Sequence, residues 1–342
     1  MQNNQKKLIV IVGPTATGKT KLAVKLARKF KGEIISADSR QVYRGMDIGT
    51  GKDLVEYGVD KPSRGHSGAQ KGQKQVPYHL IDIINPKNPF NVAKYQKLAY
   101  KAIAGAQYAN KLPFLVGGTG LYVDSVIKGF QFNLDVIPSG AKRSVGIPFR
   151  KDKHGIATSA CWPPRNDIRR KLDNLSLKQL SARLQKIDPE TFRIIDLKNR
   201  RRVQRALEIY YETGKKKSDQ QEIKKPDLDI LILGIKFPLE KIYQRIDSRL
   251  ETRIKEGMIK EIKKLRKQGV SWKRLDEFGL EYRYVSRYLR GLLTYDEMVE
   301  QLMMAIHHFA KRQLTWFNRN KDISWIENIR EAEIEIKRFL QK

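Results

Sequence analysis

The sequence predicts an α/β fold, a parallel sheet flanked by helices and interrupted by a mainly helical insertion domain. Three observations carry this. Short apolar runs recur at LIVIV (residues 8–12), EIISA (33–37), PFLVGG (113–118), DILILGIKF (229–237) and DISWI (322–326), with helical stretches between the early ones. Buried strands that alternate with helices build parallel sheets, because the helix is the crossover that returns the chain to the same edge. Residues 13–20, GPTATGKT, stand between the apolar run KLIVIV and the amphipathic run KLAVKLARKF, so a strand, a glycine-rich turn and a helix follow one another. Between GFQF and PPRND the periodicity disappears into Gly, Ser, Pro and Lys, and from Asp167 to about Ile195 short helices are expected. The sheet's pieces lie on both sides of that stretch. The expected division is therefore 1–130 for the first part of the core, 131–195 for the insertion, and 196–342 for the second part of the core with its basic helices.

Taken in order, the first strand leads into a loop with the spacing Gly-x-x-x-x-Gly-Lys-Thr, a P-loop, which makes the sheet P-loop NTPase-like. Gly13, Pro14, Thr15, Ala16, Thr17, Gly18, Lys19 and Thr20 are its phosphate-binding residues. The glycines let backbone N–H groups turn inward on an anion and the helix start adds its positive end. Lys19 supplies a point charge and Thr20 a hydroxyl for Mg²⁺. The second strand ends at Asp38, on the carboxyl edge where ligands of open α/β sheets bind. A carboxylate there could hold Mg²⁺, orient a hydroxyl, take a proton, or simply cap a turn. The later strand PFLV ends in GGTG, without the aspartate that a nucleotide-hydrolysing P-loop enzyme uses to place its metal. Residues 57–76 have loop composition and read as a mobile excursion. Farther on, Ile242, Ile246, Leu250, Ile254, Met258 and Ile262 recur every fourth residue. On one straight helix that stripe would wind around the axis, so a break near Gly257 is expected.

The 342 residues carry 68 basic and 37 acidic side chains, a formal charge of +31. Such an excess calls for a polyanionic partner. An anionic membrane would also satisfy it, but no stretch has the length of a spanning helix, and nucleic acid is the favoured reading. Cys161 is the single cysteine, which excludes an internal disulfide, a zinc finger and a CxxC redox pair. The short polar start runs directly into the first strand, so no signal peptide and a cytoplasmic location are expected. A monomer is expected as well.

Six stretches in order, GPTATGKT, ISADSRQVYRGMDIGTGK, VPYHLIDI, LVGGTGLYVDSVIKG, NRRRVQRALEIYYETGK and FAKRQLTWFNR, resemble the successive motifs of the bacterial tRNA dimethylallyltransferases, the isopentenyl-diphosphate:tRNA transferases. The resemblance covers most of the chain, with weak matches at 57–75 and 131–163, from which no functional residue is carried. It implies transfer of a dimethylallyl group from dimethylallyl diphosphate to N6 of the adenosine 3′-adjacent to the anticodon, with the P-loop holding an isoprenoid diphosphate rather than ATP. Catalytic roles fall to Asp38 as general base, to Lys19 and to Thr119, a residue that would otherwise serve as a helix N-cap. The partners implied are the tRNA anticodon stem-loop, dimethylallyl diphosphate and Mg²⁺, with no membrane. Contacts to tRNA are implied for Asp38, Ser39, Arg40, Gln41, Thr119 and Arg169, for Arg201, Arg202, Val203, Gln204 and Arg205, and for Tyr282, Arg283, Lys311, Arg312, Gln313 and Thr315. Trp316 reads either as a base-stacking residue or as core. Many family members carry glycine where this chain has Glu281, so either that side chain points away from RNA or the local contact differs. Prenylation of a free adenine nucleotide, a P-loop kinase acting on a small molecule, and a non-catalytic RNA-binding protein are the competing readings.

Overall fold

The computed structural model describes residues 6–52, 54–58, 75–130, 165–214, 216–218 and 226–342, together with two two-residue strands at 150–151 and 157–158. Cys161 and most of the loop-rich stretches expected at 57–76 and 131–163 lie outside the described residues. The strands are β1 (Lys7–Val12), β2 (Gly32–Ser36), β3 (Tyr78–His79), β4 (Leu112–Gly117), β5 (Arg150–Lys151), β6 (Ala157–Thr158), β7 (Asp229–Ile235) and β8 (Ile323–Ile326). The helices are α1 (Lys19–Lys29), α2 (Val92–Tyr108), α3 (Gly120–Ile127), α4 (Arg165–Asp173), α5 (Leu177–Ile187), α6 (Pro189–Ile194), α7 (Arg200–Thr213), α8 (Leu239–Lys255), α9 (Met258–Lys267), α10 (Trp272–Phe278), α11 (Leu280–Leu289), α12 (Tyr295–Phe317) and α13 (Ile329–Gln341). None of these is long and apolar enough to cross a membrane.

Two compact units emerge, one formed by residues 1–130 with 225–342 and the other by 131–224. In the larger unit, each of the five apolar runs forms a strand of a single sheet ordered β3-β2-β4-β1-β7-β8, with every pairing parallel. The additional strand β3, inside VPYHLIDI, has two residues, too few for a period to show. Side chains of β1 alternate between the faces. Ile9 and Ile11 join Leu26, Phe114 and the α13 residue Ile336 in one core layer, and Leu8, Val10 and Val12 join Tyr95, Leu115 and Val123 in the other. Beside the sheet a third core gathers α8, α9, α11 and α12 around Ile246, Met258, Val285 and Leu302. The stripe of fourth residues breaks where expected: α8 ends at Lys255, and Gly257, at φ 103°, starts α9.

The smaller unit contains α4 to α7, packed through Ile168, Leu172, Leu180, Leu184, Val203 and Leu207. Its boundary falls after 224, not after 195. The basic segment expected in the second part of the core is therefore a helix of the insertion. Its apolar side, Val203, Ala206 and Leu207, needs the α4–α5 surface, a long-range requirement that charge alone does not reveal.

Candidate active site

Three loops leave the carboxyl edge of adjacent strands. Register pairs Val12 of β1 with Gly117 of β4, and Ser36 of β2 with Val116, so the P-loop, the Asp38 turn and the GGTG turn start at one level. A parallel sheet brings such loops together by construction. They line a cavity of about 270 Å³ with Thr15, Lys19, Thr20, Asp38, Gln41 and Gly118.

The P-loop is ordered by its own side chains: Thr17 Oγ1 and Lys19 Nζ both donate to the Pro14 carbonyl, at 2.9 and 2.6 Å. Gly18, at φ 81°, starts α1 in a conformation that costs a side-chain-bearing residue energy. Burial lowers the Lys19 ammonium to about 8; the nearby Arg249 adds to the shift and Asp38 opposes it. Arg245 and Arg249 of α8 also line the cavity, and Arg245 rests on the Phe237 ring at 4.1 Å. Their part in the site was absent from the sequence-derived expectations. Arg245, Arg249 and Arg253 do recur every fourth residue, one position ahead of Ile246, Leu250 and Ile254, but only the fold shows what that stripe faces.

Asp38 both caps its turn and lines the cavity. Its Oδ1 accepts from the N–H groups of Arg40 (2.8 Å) and Gln41 (3.3 Å). Thr119 is the N-cap of α3 but makes no side-chain cap bond; its Oγ1 accepts instead from the Ser39 N–H at 3.1 Å, tying the two loops. The glycines beside it have a packing reason. A Cβ on Gly117 would lie 2.2 Å from the Ala37 carbonyl, one on Gly118 2.4 Å from Gln313 Nε2, and one on Gly120 2.4 Å from the Trp316 ring. Trp316 therefore packs on α3.

Gln313 requires a correction. It was expected to touch RNA, yet it is buried, accepting from Thr15 N–H at 2.9 Å and donating to the Gly118 carbonyl at 2.7 Å. It clamps the P-loop to the GGTG turn. Gln313→Ala is expected to cost about 1–3 kcal/mol of stability, because a buried carbonyl and a partly buried N–H lose their partner. Denaturant unfolding measures it, and a loss below a few tenths of a kcal/mol would refute the clamp. Lys311, Arg312 and Thr315, on the same helix, are exposed.

Tyr282 requires a second correction, since it is fully buried and its hydroxyl donates to Glu261 Oε1 at 2.9 Å. Glu261 also accepts from the N–H groups of Asp47, Ile48 and Gly49, at 2.9, 2.7 and 3.1 Å. Tyr282 thus braces the DIGTGK segment and presents nothing to a ligand. Arg283 is half-buried and donates to the Asp276 carbonyl at 3.0 Å. Glu281 points inward: Oε2 meets Arg40 Nη1 at 2.6 Å and Oε1 meets Arg253 Nη1 at 3.3 Å. Burial opposes its charge, and Arg40 and then Arg253 overcome that, holding the carboxyl below its ordinary range.

In the smaller unit α7 starts at the Asn199 cap. Arg200 turns back onto the carbonyls of Leu172 and Asp173, at 3.1 and 2.9 Å. Arg205 pairs with Glu208 at 3.0 Å, and Arg169 reaches the same carboxylate at 4.0 Å. Val203 is fully buried and Gln204 donates to Asp173 Oδ1 at 2.8 Å, so neither offers RNA a free surface. Arg201 and Arg202 are exposed and carry no ion pair among the described residues.

A family model described as IPP transferase matches residues 41–320, and one described as isopentenyl transferase matches residues 6–60. The chain belongs to the IPP transferase family. Among its curated relatives in that family, the tRNA dimethylallyltransferase 1 of Geotalea uraniireducens is 40% identical over 94% of this chain and 92% of its own. That of Syntrophus aciditrophicus is also 40% identical, over 94% of both chains. The crystal structure of the tRNA isopentenylpyrophosphate transferase from Bacillus halodurans is 35% identical, covers 98% of this chain and 97% of its own, and superposes with a TM-score of 0.63. A eukaryotic dimethylallyltransferase acting on tRNA is 27% identical over 94% of this chain and 74% of its own, with a TM-score of 0.68.

Proposed function

We propose that the protein transfers a dimethylallyl group from dimethylallyl diphosphate to N6 of the tRNA adenosine 3′-adjacent to the anticodon. The observation that carries this is the meeting, in one cavity, of a carboxylate, Asp38, with the anion loop and its Lys19 and with Arg245 and Arg249 of α8, in a chain 40% identical to a tRNA dimethylallyltransferase. The loop's N–H groups and cations receive the diphosphate. As the carbon–oxygen bond of the donor breaks, negative charge gathers on the leaving pyrophosphate, and these donors stabilise it. The exocyclic amine of adenine is a poor nucleophile because its lone pair is delocalised into the ring. Asp38 takes the amine's proton as the carbon–nitrogen bond forms. Thr119 fixes the Asp38 loop through Ser39. The base must first leave its stack to enter the site.

Asp38 and the Thr20 hydroxyl line the cavity and would offer a divalent cation oxygen donors there. No group of three or more His, Cys, Asp or Glu side chains suited to a metal occurs among the described residues. Mg²⁺, which prefers phosphate oxygens with few protein ligands, would be held by the diphosphate and the Thr20 hydroxyl, where it supplies positive charge to the leaving group. Arg201, Arg202, Lys311 and Arg312 are the exposed cations proposed to contact RNA phosphates.

The test is incubation with unmodified tRNA, dimethylallyl diphosphate and Mg²⁺, followed by nucleoside mass analysis. A dimethylallylated adenosine next to the anticodon is expected; equally efficient prenylation of free AMP would overturn the tRNA reading. Arg201→Ala with Arg202→Ala should weaken tRNA binding and flatten its log affinity against log salt by about 1.4–1.8 in slope, for two lost phosphate contacts. Donor affinity should stay unchanged. An unaltered slope would remove α7 from the interface.

A further inference from the structure

We propose that Glu281 is a positioning residue that holds the Arg40 guanidinium away from the Asp38 carboxylate. The inference rests on the reading of Asp38 as the base. Arg40 binds Asp38 through its main chain, N–H to Oδ1 at 2.8 Å, and Glu281 through its side chain, Nη1 to Oε2 at 2.6 Å. Both side chains of that ion pair are sheltered, Arg40 17% and Glu281 4% exposed. A sheltered guanidinium must face a carboxylate, because an unpaired buried charge is costly. Glu281 is in contact with it, and Asp38 stands two residues away on the same turn. Burial works against the charge of Arg40, and Glu281 and then Asp38 overcome it. Without the Glu281 charge, the carboxylate left to Arg40 is that of Asp38. A guanidinium on its free oxygen would occupy the place of the adenine amine and take the electron pair meant for the proton.

The hub is built to prevent this. Glu281 lies in the first turn of α11, where the helix's positive end favours an acid. Its other oxygen is pinned by Arg253 from α8, which leaves Oε2 for Arg40. Tyr282, the next residue, spends its hydroxyl on Glu261 and does not compete.

The experiment compares the parent, E281Q and E281D in single- and multiple-turnover transfer to tRNA, with thermal unfolding confirming that each is folded. E281Q keeps size and shape and loses the charge: kcat is expected to fall roughly tenfold or more, while KM for tRNA and for dimethylallyl diphosphate stays within about threefold. E281D keeps the charge and should restore kcat most of the way. An E281Q enzyme with parental kcat, a loss confined to KM, or an E281D enzyme as slow as E281Q would each overturn the proposal. If E281Q does not fold, Arg40→Met is compared with Arg40→Met plus Glu281→Gln, which removes the Arg40 cation together with its partner carboxylate. Equal kcat in that pair supports action through Arg40, and a further tenfold loss refutes it. A parent that prenylates no tRNA would instead sink the functional reading, which separates the two failures.

Discussion

Asp38→Asn is expected to slow the chemical step by about a hundredfold or more, the span usual for a positioned general base, while tRNA affinity is nearly unchanged. Asparagine is a clean probe here because the two functions of the carboxylate sit on different oxygens. Oδ1 accepts from Arg40 and Gln41 and holds the turn, a task that an amide oxygen also performs. The other oxygen becomes an amide nitrogen that accepts no proton. Loss of rate with retention of fold therefore reports the lost charge of Asp38, as the base and as the carboxylate that helps keep Lys19 protonated. Single-turnover kinetics at saturating tRNA and donor measure the step directly, and a rate near that of the parent would assign the proton to water or to another group. A hundredfold loss corresponds to about 2.7 kcal/mol of transition-state stabilisation.

The fold was legible because its signals are local. Five apolar runs gave five strands, and the P-loop spacing placed the first turn and α1 without further knowledge. The break at Gly257 followed from a mismatch between a period of four and a helical turn of 3.6 residues. What remained hidden depends on residues far apart in sequence. By sequence α7 is expected in the second part of the core, whereas the α4–α5 surface that buries Val203 and Leu207 makes it a helix of the insertion.

The candidate site divides along the same line. Lys19, Thr20 and Asp38 are fixed by the strand ends that carry them, and strand ends are readable. Gln313 and Tyr282 sit in RNA-contact motifs by resemblance, yet their polar atoms are spent on Thr15, Gly118 and Glu261. A motif marks a position as constrained without saying whether a ligand or the protein applies the constraint. The glycines of GGTG show the reverse case, where the constraint comes from the close approach of Ala37, Gln313 and Trp316. At Glu281 the constraint again comes from the protein, since Arg40 and Arg253 both pair with its carboxylate.

Lys19→Ala is the other large effect, an expected loss of about 100- to 1,000-fold in kcat, the range seen when one donor to a developing oxyanion is removed. Three cations line the cavity, and they are not equivalent. Lys19 belongs to the loop itself, beside the helix start, whereas Arg245 and Arg249 reach in from α8. Burial and the charge of Arg249 already strain the Lys19 ammonium toward losing its proton. Arg249→Ala therefore removes one cation but relieves another, and its loss should be well below that of Lys19→Ala. Lys19→Arg should not rescue, because a rigid guanidinium fork is bulkier than the ammonium it replaces and would stand closer to Arg249. tRNA binding in the absence of donor should be indifferent to all three changes. Measured kcat values for Lys19→Ala and Arg249→Ala that are equally low would mean that the cations act as one charged wall, and the special role of the P-loop lysine would be lost.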